Sequence, residues 1–405
     1  MRRKRILYFI SYPQRLAGSQ RQIITLIENL DKTRFEPIVV LPSEGSVLKY
    51  LSSRSIESKV IETQGLMASY GKTVQNNSLV QNLARGSRSF LKYTMKVRSF
   101  IRANDIDLVH TAEARGTMMV GLAARLAGRP LVGHLQGELT VKSSSYIAAI
   151  IRKMPHKTIC NSRYLQDTVF QNRSSKACTI YTGVKSLQPR APEALSWLKR
   201  SKDSGTVIIA CFASVVPFKG YHYLLEASTI AASKCKHPFI IVGVGDMPTE
   251  YDWYQRYLFE MIERGSIRNV TFCGWQDNPA DFLDVCDISC LPSVSRGELL
   301  CDGKVCSFRG NEGFPTTHLE AMLAGKPVIG SSIAGVPEQI IAGETGFLCE
   351  PGSPTDLANA IIDLVNSRDL RFKMGEAGRR RALDMFSVSA YVSSVSAIYD
   401  GLLSA

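Results

Sequence analysis

The stretch Glu312-Gly313-Phe314-Pro315-Thr316-Thr317-His318-Leu319-Glu320-Ala321-Met322-Leu323-Ala324-Gly325-Lys326-Pro327-Val328-Ile329 decides how this chain is read. Gly313-Phe314-Pro315 reads as a turn, and Thr316 or Thr317 can cap the helix that follows. The helical pattern continues over 318–324, and a strand-like apolar run follows at 327–330. Alternation of helix and buried strand argues an α/β fold. The same alternation runs outward. Apolar runs lie at 6–10, 37–41, 106–110, 130–135 and 158–160, then at 207–212, 238–242, 270–273 and 288–291. They are nearly continuous rather than alternating, which suits parallel strands buried on both faces. Helical patterns at 23–30, 221–232 and 318–324 lie between strands.

The chain has 405 residues, 45% of them hydrophobic and 21% charged. Those values exclude a disordered, collagenous or small disulfide-built protein and allow more than one core. The net charge of +13 points to an anionic partner: nucleic acid, an anionic membrane or a phosphorylated substrate. All ten cysteines lie at or beyond Cys160, and the apolar run after Arg2-Arg3-Lys4-Arg5 is too short for a signal-peptide core. The expected setting is cytosolic, with reduced thiols. Residues 186–205 carry Pro189 and Pro192 among Lys, Arg and Ser, with no strand signal. The expected organisation is a first α/β domain over 1–185, a linker over 186–205, a second domain over 206–385 and a final helix over 386–405.

A helix start with free amides is a natural diphosphate site. Glu320, one turn into the helix, can accept hydrogen bonds from a ribose diol, and Glu312 on the loop can meet a sugar hydroxyl. Taken alone, two such glutamates read more readily as a dipole-favourable capping pair and a surface residue.

Glu312 and Glu320 with Gly-Phe-Pro between them, followed by Glu-Ala-Met-x-x-Gly-Lys-Pro-Val, resemble the E-x7-E signature of glycosyltransferase family 4. Gly335-Val336-Pro337-Glu338, Gly343-Glu344-Thr345-Gly346, Pro217-Phe218-Lys219-Gly220 and Val242-Gly243-Val244-Gly245-Asp246 resemble further parts of that family. The resemblance implies the GT-B fold, two Rossmann-like domains with parallel sheets facing a cleft. It implies a retaining transferase that moves a sugar from a nucleotide-diphosphate sugar to a hydroxyl acceptor, in cell-envelope or polysaccharide synthesis. No metal or other cofactor is expected. By this likeness Glu320 holds the ribose and Glu312 the donor sugar. Gly313, Phe314, Thr316 and Thr317 shape the diphosphate site. Lys219 neutralises the leaving diphosphate, where one preorganised donor is worth about 2.7–4 kcal/mol. Where the family carries a second cation, an Arg, this chain has Ser214.

In the first half, Gly18 resembles the glycine loop after the first strand, although the family has two glycines there. His134, near the end of a strand, resembles the active-site histidine, with Gln136 as the alternative occupant of that slot; His110 reads as structural. Neither reading of a histidine follows from the residue alone, since buried histidines commonly serve structure.

Two features fall outside the resemblance. Residues 294–311 form an insertion beside the donor motif, containing Cys301, Lys304, Cys306 and Arg309. It reads as a loop, with a lid, an acceptor loop or a replacement cation as functional alternatives. Cys301 and Cys306, with Cys290, match no strong zinc spacing. Residues 63–104 contain no Asp or Glu but carry Lys72, Arg85, Arg88, Lys92, Lys96, Arg98 and Arg102. The spacing predicts a basic amphipathic helix over 85–102, suited either to packing on the sheet or to docking the enzyme peripherally on an anionic membrane. No recognition helix or zinc finger supports nucleic acid as the partner. The rival readings are an impaired scaffold of the same fold, suggested by Ser214, and an epimerase or phosphorylase.

Overall fold

The computed structural model describes residues 2–404 except 15, 17, 64–78, 138–143, 172–173, 191 and 311. Lys72 therefore lies outside the described residues, as does the side chain of Arg85. The chain divides into two compact units, Met1–Gly183 with Val388–Ala405, and Val184–Ser387.

The first unit holds strands β1 (Lys4–Phe9), β2 (Phe35–Leu41), β3 (Ser58–Val60), β4 (Leu108–Ala112), β5 (Leu131–Leu135), β6 (Lys157–Cys160) and β7 (Ala177–Thr179). They form one parallel sheet in the order β3-β2-β1-β4-β5-β6-β7. Successive side chains on a strand point to opposite faces. In β1, Ile6 and Tyr8 enter one core, with Ile23, Ile27, Tyr391, Val395 and Tyr399. Leu7 and Phe9 enter the other, with Tyr93, Val97, Ile101 and Met119. Both faces are covered by helices, which is why the strand reads as unbroken apolar sequence. Each such Leu or Ile contributes about 1.5–3 kcal/mol on burial. The last helix, Val388–Leu403, packs in this unit beside the helix Gly18–Asn29.

The second unit holds β8 (Val207–Phe212), β9 (Phe239–Val244), β10 (Val270–Phe272), β11 (Ile288–Leu291), β12 (Arg296–Cys301), β13 (Lys304–Arg309), β14 (Val328–Ser331) and β15 (Gly346–Cys349). Six form a parallel sheet ordered β10-β9-β8-β11-β14-β15. β12 and β13 make a separate antiparallel ribbon, so the insertion expected as a loop is a hairpin. Residues 186–205 include the helix Ser196–Asp203, whose Leu198 is buried.

The basic stretch contains the helix Leu79–Ala103. Tyr93, Val97 and Ile101 are buried, while Arg88, Lys92, Lys96 and Arg102 face solvent. Leu91 and Met95 are exposed on the same side. Among the described residues, no helix is long and apolar enough to cross a membrane.

Candidate functional site

Both sheets reverse their strand order between neighbouring strands, β1 and β4 in the first, β8 and β11 in the second. Ligands of such sheets bind beyond the carboxyl ends of the strands at that reversal. Each unit has a polar cluster there.

In the second unit, the chain leaves β8, passes Ser214 and turns through Pro217–Lys219 into the helix Tyr221–Ala232. Gly220 ends the turn at φ 76°, and a Cβ there would meet the Pro292 carbonyl oxygen at 2.0 Å. Only glycine allows both the left-handed backbone and the close approach. That approach brings Lys219 to the end of β11. Its Nζ forms an ion pair with Glu312, whose Oε1 also accepts from Ser293 Oγ at 3.0 Å. Glu312 is 6% exposed. Ser214 donates instead to the Asp246 carboxylate.

Glu312 leads into the turn Gly313-Phe314-Pro315 and the helix Thr316–Leu323. Pro315 occupies the N-cap position, and no side chain caps the helix. This corrects the expected Thr316 or Thr317 cap: both threonines already lie inside the helix, and Thr317 Oγ1 has no partner among the described residues. The first-turn amides are therefore left without a side-chain acceptor, the condition an anion site needs. Glu320, half-buried, lies one turn along. His318 is fully buried, and burial together with the Lys219 charge pushes its pKa down to about 3. The turn is braced from below. Gly335 N–H donates to Gly313 O at 3.2 Å, and Gln339 Nε2 to Pro315 O at 3.0 Å. Arg381 in turn donates to Gln339 O at 2.9 Å and Glu338 O at 2.7 Å, and its guanidinium sits 5.6 Å from the Phe386 ring, which packs on Phe314. The Gly-Val-Pro-Glu motif thus positions the turn Gly313-Phe314-Pro315.

In the first unit, His134 on β5 is fully buried. Its Nδ1 lies 3.2 Å from His110 Nε2, and His110 Nδ1 lies 2.6 Å from the Tyr399 hydroxyl. Tyr399 meets Tyr8 at 2.9 Å. Burial pushes the His134 pKa down to about 3, so the ring is neutral. In this structure His134 is a core residue of a polar chain that ties the last helix to the sheet, and it offers no atom to solvent. Gln136 stands just beyond the strand end, with both amide atoms unpartnered among the described residues. Gly18 opens the helix Gly18–Asn29, and a Cβ there would meet nothing within 4 Å.

Sequence reasoning missed Glu113. It follows β4 with φ 65°, a backbone strain that a side chain longer than Asn rarely accepts. Its carboxylate accepts from Ser11 Oγ at 3.1 Å, Ser19 Oγ at 2.6 Å and Gln20 Nε2 at 3.3 Å. Burial raises its pKa against those hydrogen bonds. Strain plus a shifted carboxyl at a strand reversal marks a functional candidate. Nothing in its local sequence announced this, because its partners come from far along the chain. Among the described residues no group of three or more His, Cys, Asp or Glu is placed to hold a metal ion.

Residues 16–186 match the model of Glycosyltransferase Family 4, and residues 198–381 match that of Glycosyl transferases group 1. An uncharacterized glycosyltransferase of Methanocaldococcus jannaschii is 24% identical over 380 residues, 90% of this chain and 97% of that protein. The N-acetyl-alpha-D-glucosaminyl L-malate synthase of Bacillus anthracis is 35% identical over 134 residues, 33% of this chain and 31% of that protein. The crystal structure of Anabaena HepE in complex with UDP superposes with a TM-score of 0.78 at 20% identity, covering 98% of this chain and 100% of HepE. The two family models follow one another along the chain, one in each Rossmann-like unit, and the protein is a glycosyltransferase like those of family 4, on the GT-B fold.

Proposed function

We propose that this glycosyltransferase uses a nucleotide-diphosphate sugar and transfers the sugar, with retention, to a hydroxyl acceptor. The observation that carries the reading is the Lys219–Glu312 pair beside the uncapped start of the helix Thr316–Leu323. A diphosphate there meets one ammonium and the first-turn amides, groups fixed before the charge develops. Glu320 holds the ribose, and Glu312, released from Lys219 as the phosphate takes its place, holds the sugar. In the first unit, Gln136 stands just beyond the strand end that His134 fixes, as the candidate polar group of that unit's own strand reversal. No step in this scheme requires a metal.

Support for the donor class comes from HepE, whose crystal structures contain UDP or UDP-glucose. Support for an envelope acceptor comes from a capsular polysaccharide biosynthesis glycosyltransferase of Staphylococcus aureus, 26% identical over 197 residues. The solvent face of the helix Leu79–Ala103 fits an anionic membrane surface, where each cation adds about 1 kcal/mol of attraction. Its exposed Leu91 and Met95 supply apolar contact.

The test is calorimetric titration with UDP-, GDP- and ADP-sugars. Selective binding of one donor, lost in Glu320→Ala, is the expected result. A wild-type protein that binds none of them overturns the donor assignment. Sedimentation with phosphatidylserine vesicles, for wild type and Lys92→Glu/Lys96→Glu, checks the membrane face in the same way.

A further inference from the structure

The ribbon β12–β13 has a register that places Arg296 directly opposite Arg309. Like charges facing each other across an antiparallel pair repel and destabilise it. Neither guanidinium has a hydrogen-bond or ion-pair partner among the described residues, and both are exposed. Strand alternation puts Glu298 and Ser307 on the same face. That carboxylate accepts from Ser307 Oγ at 3.1 Å and forms no ion pair with either arginine among the described residues. The other face carries Cys301 and Phe308, both buried, so the ribbon cannot turn to hide its arginines. A pocket of about 760 Å³ opens at this base, lined by Arg296, Gly297, Glu298, Ser307, Phe308 and Arg309.

The base of the ribbon is fastened to the turn that carries Lys219. Val294 N–H donates to Phe218 O at 2.8 Å, and Gly310 N–H to Ser295 O at 2.9 Å. Gly310 leaves room for the Phe218 ring, where a Cβ would come within 1.8 Å of Cγ. Arg309 precedes Gly310, and Arg296 follows Val294 by two residues, so both cations stand beside the neighbour of Lys219. Lys304, the other cation of the insertion, sits opposite Cys301 at the tip. It is about 16 Å along the strand from Arg309, at the usual rise per residue. On the donor turn itself, Ser214 brings no charge and its hydroxyl is committed to Asp246.

We infer that Arg296 and Arg309 form a phosphate clamp, gripping a phosphate or diphosphate group of a substrate between the two guanidiniums. Planar guanidinium forks match phosphate oxygens bidentately, and an anion between them removes the repulsion that the register builds in. The inference rests on the donor-site reading above for the bearer of the phosphate, which is either the donor's diphosphate or a phosphate on the acceptor.

The experiment titrates wild type, Arg296→Gln/Arg309→Gln and Lys304→Ala with inorganic pyrophosphate, UDP and uridine at low ionic strength. Both arginines are exposed, and a thermal melt verifies that the double variant is folded. The expected result is pyrophosphate binding weakened by about ten-fold or more in the double variant, as for loss of hydrogen bonds to a charged group, and unchanged in Lys304→Ala. A parallel loss for UDP, with uridine unaffected, assigns the clamp to the donor. A loss for pyrophosphate alone assigns it to a phosphate of the acceptor. Unchanged pyrophosphate and UDP affinities in the double variant overturn the clamp. Wild type that binds pyrophosphate but not UDP defeats the donor reading and still judges the clamp through the pyrophosphate arm.

Discussion

Lys219 and Glu312, 93 positions apart in the chain, close on each other as an ion pair at the carboxyl ends of β8 and β11. Their side chains are 19% and 7% exposed. Without ligand, each satisfies the other. Under the proposed function, a donor phosphate would compete with Glu312 for the ammonium, so that donor binding and the release of Glu312 would be one event.

Replacing Lys219 by Met leaves the Glu312 carboxylate buried with the Ser293 hydroxyl as its remaining donor. The expected cost is about 3 kcal/mol, the lower end for a broken buried pair, because lysine is partly open to water. Urea unfolding of Lys219→Met, Glu312→Leu and the double variant measures it. The double variant is expected to recover most of the loss in stability and none of the donor affinity. A double variant destabilised by the sum of the two single losses would show that the pair carries no coupling.

Glu320→Ala removes a half-buried carboxylate from a helix surface. Thermal stability should fall by about 1 kcal/mol, as for loss of an ordinary side-chain hydrogen bond. Affinity for the intact donor should fall about ten-fold or more, as for a lost charged hydrogen bond. Titration with inorganic pyrophosphate, which has no ribose, should show no difference between variant and wild type.

Acid should unfold this protein by way of its histidines. Burial holds His134 and His318 near 3 and His222 near 4, against an ordinary value of 6.5. Below pH 6.5 the unfolded chain takes up protons that the folded chain refuses. Stability therefore rises with pH through this window and is lost as pH falls from 6.5 toward 4. Each such histidine contributes up to about 1.4 kcal/mol per pH unit. Both ring nitrogens of His318 lack partners among the described residues. His318→Leu is thus expected to be neutral or stabilising at pH 7 and to flatten the acid limb. Melts at several pH values check the slope, and an unchanged slope would count against a neutral buried ring.

Tyr399→Phe deletes the hydroxyl shared by Tyr8 and His110. Two buried polar groups lose a partner at once, for a cost of about 1–3 kcal/mol. Hydrogen exchange should rise first in the helix Val388–Leu403, ahead of the sheet. Uniform acceleration throughout the first unit would instead mean that helix and sheet open together.

Much of the fold lay open in the sequence because strands buried on both faces read as unbroken apolar runs. β3, β7 and β15 did not, since runs of three or four edge residues carry too little apolar sequence to stand out. The ribbon β12–β13 did carry a signal. Asp302-Gly303 between alternating residues is a strong hairpin mark, and both take positive φ, 50° and 73°. A loop reading weighs the cysteines and passes over that dipeptide. In the second unit the candidate site residues Glu312 to Glu320 follow from one contiguous motif, and Lys219 from a second one. In the first unit, periodicity says that His134 lies in a strand but not which neighbours its ring meets. Its partner His110 and the hydroxyl of Tyr399 arrive from other strands and from the far end of the chain. Glu113 shows the same limit, with ligands supplied by Ser11, Ser19 and Gln20.

The first unit is discontinuous, closed only by residues 388–405 after the whole second unit has been traversed. During synthesis on a ribosome its sheet must therefore wait, with Tyr8, His110 and His134 uncovered on one side, until the helix Val388–Leu403 emerges. The second unit has all its strands in one continuous stretch and can finish first. Vectorial synthesis thus inverts the order of the sequence. The part made first matures last, and a nascent chain stalled before residue 388 presents an open apolar face to chaperones and proteases.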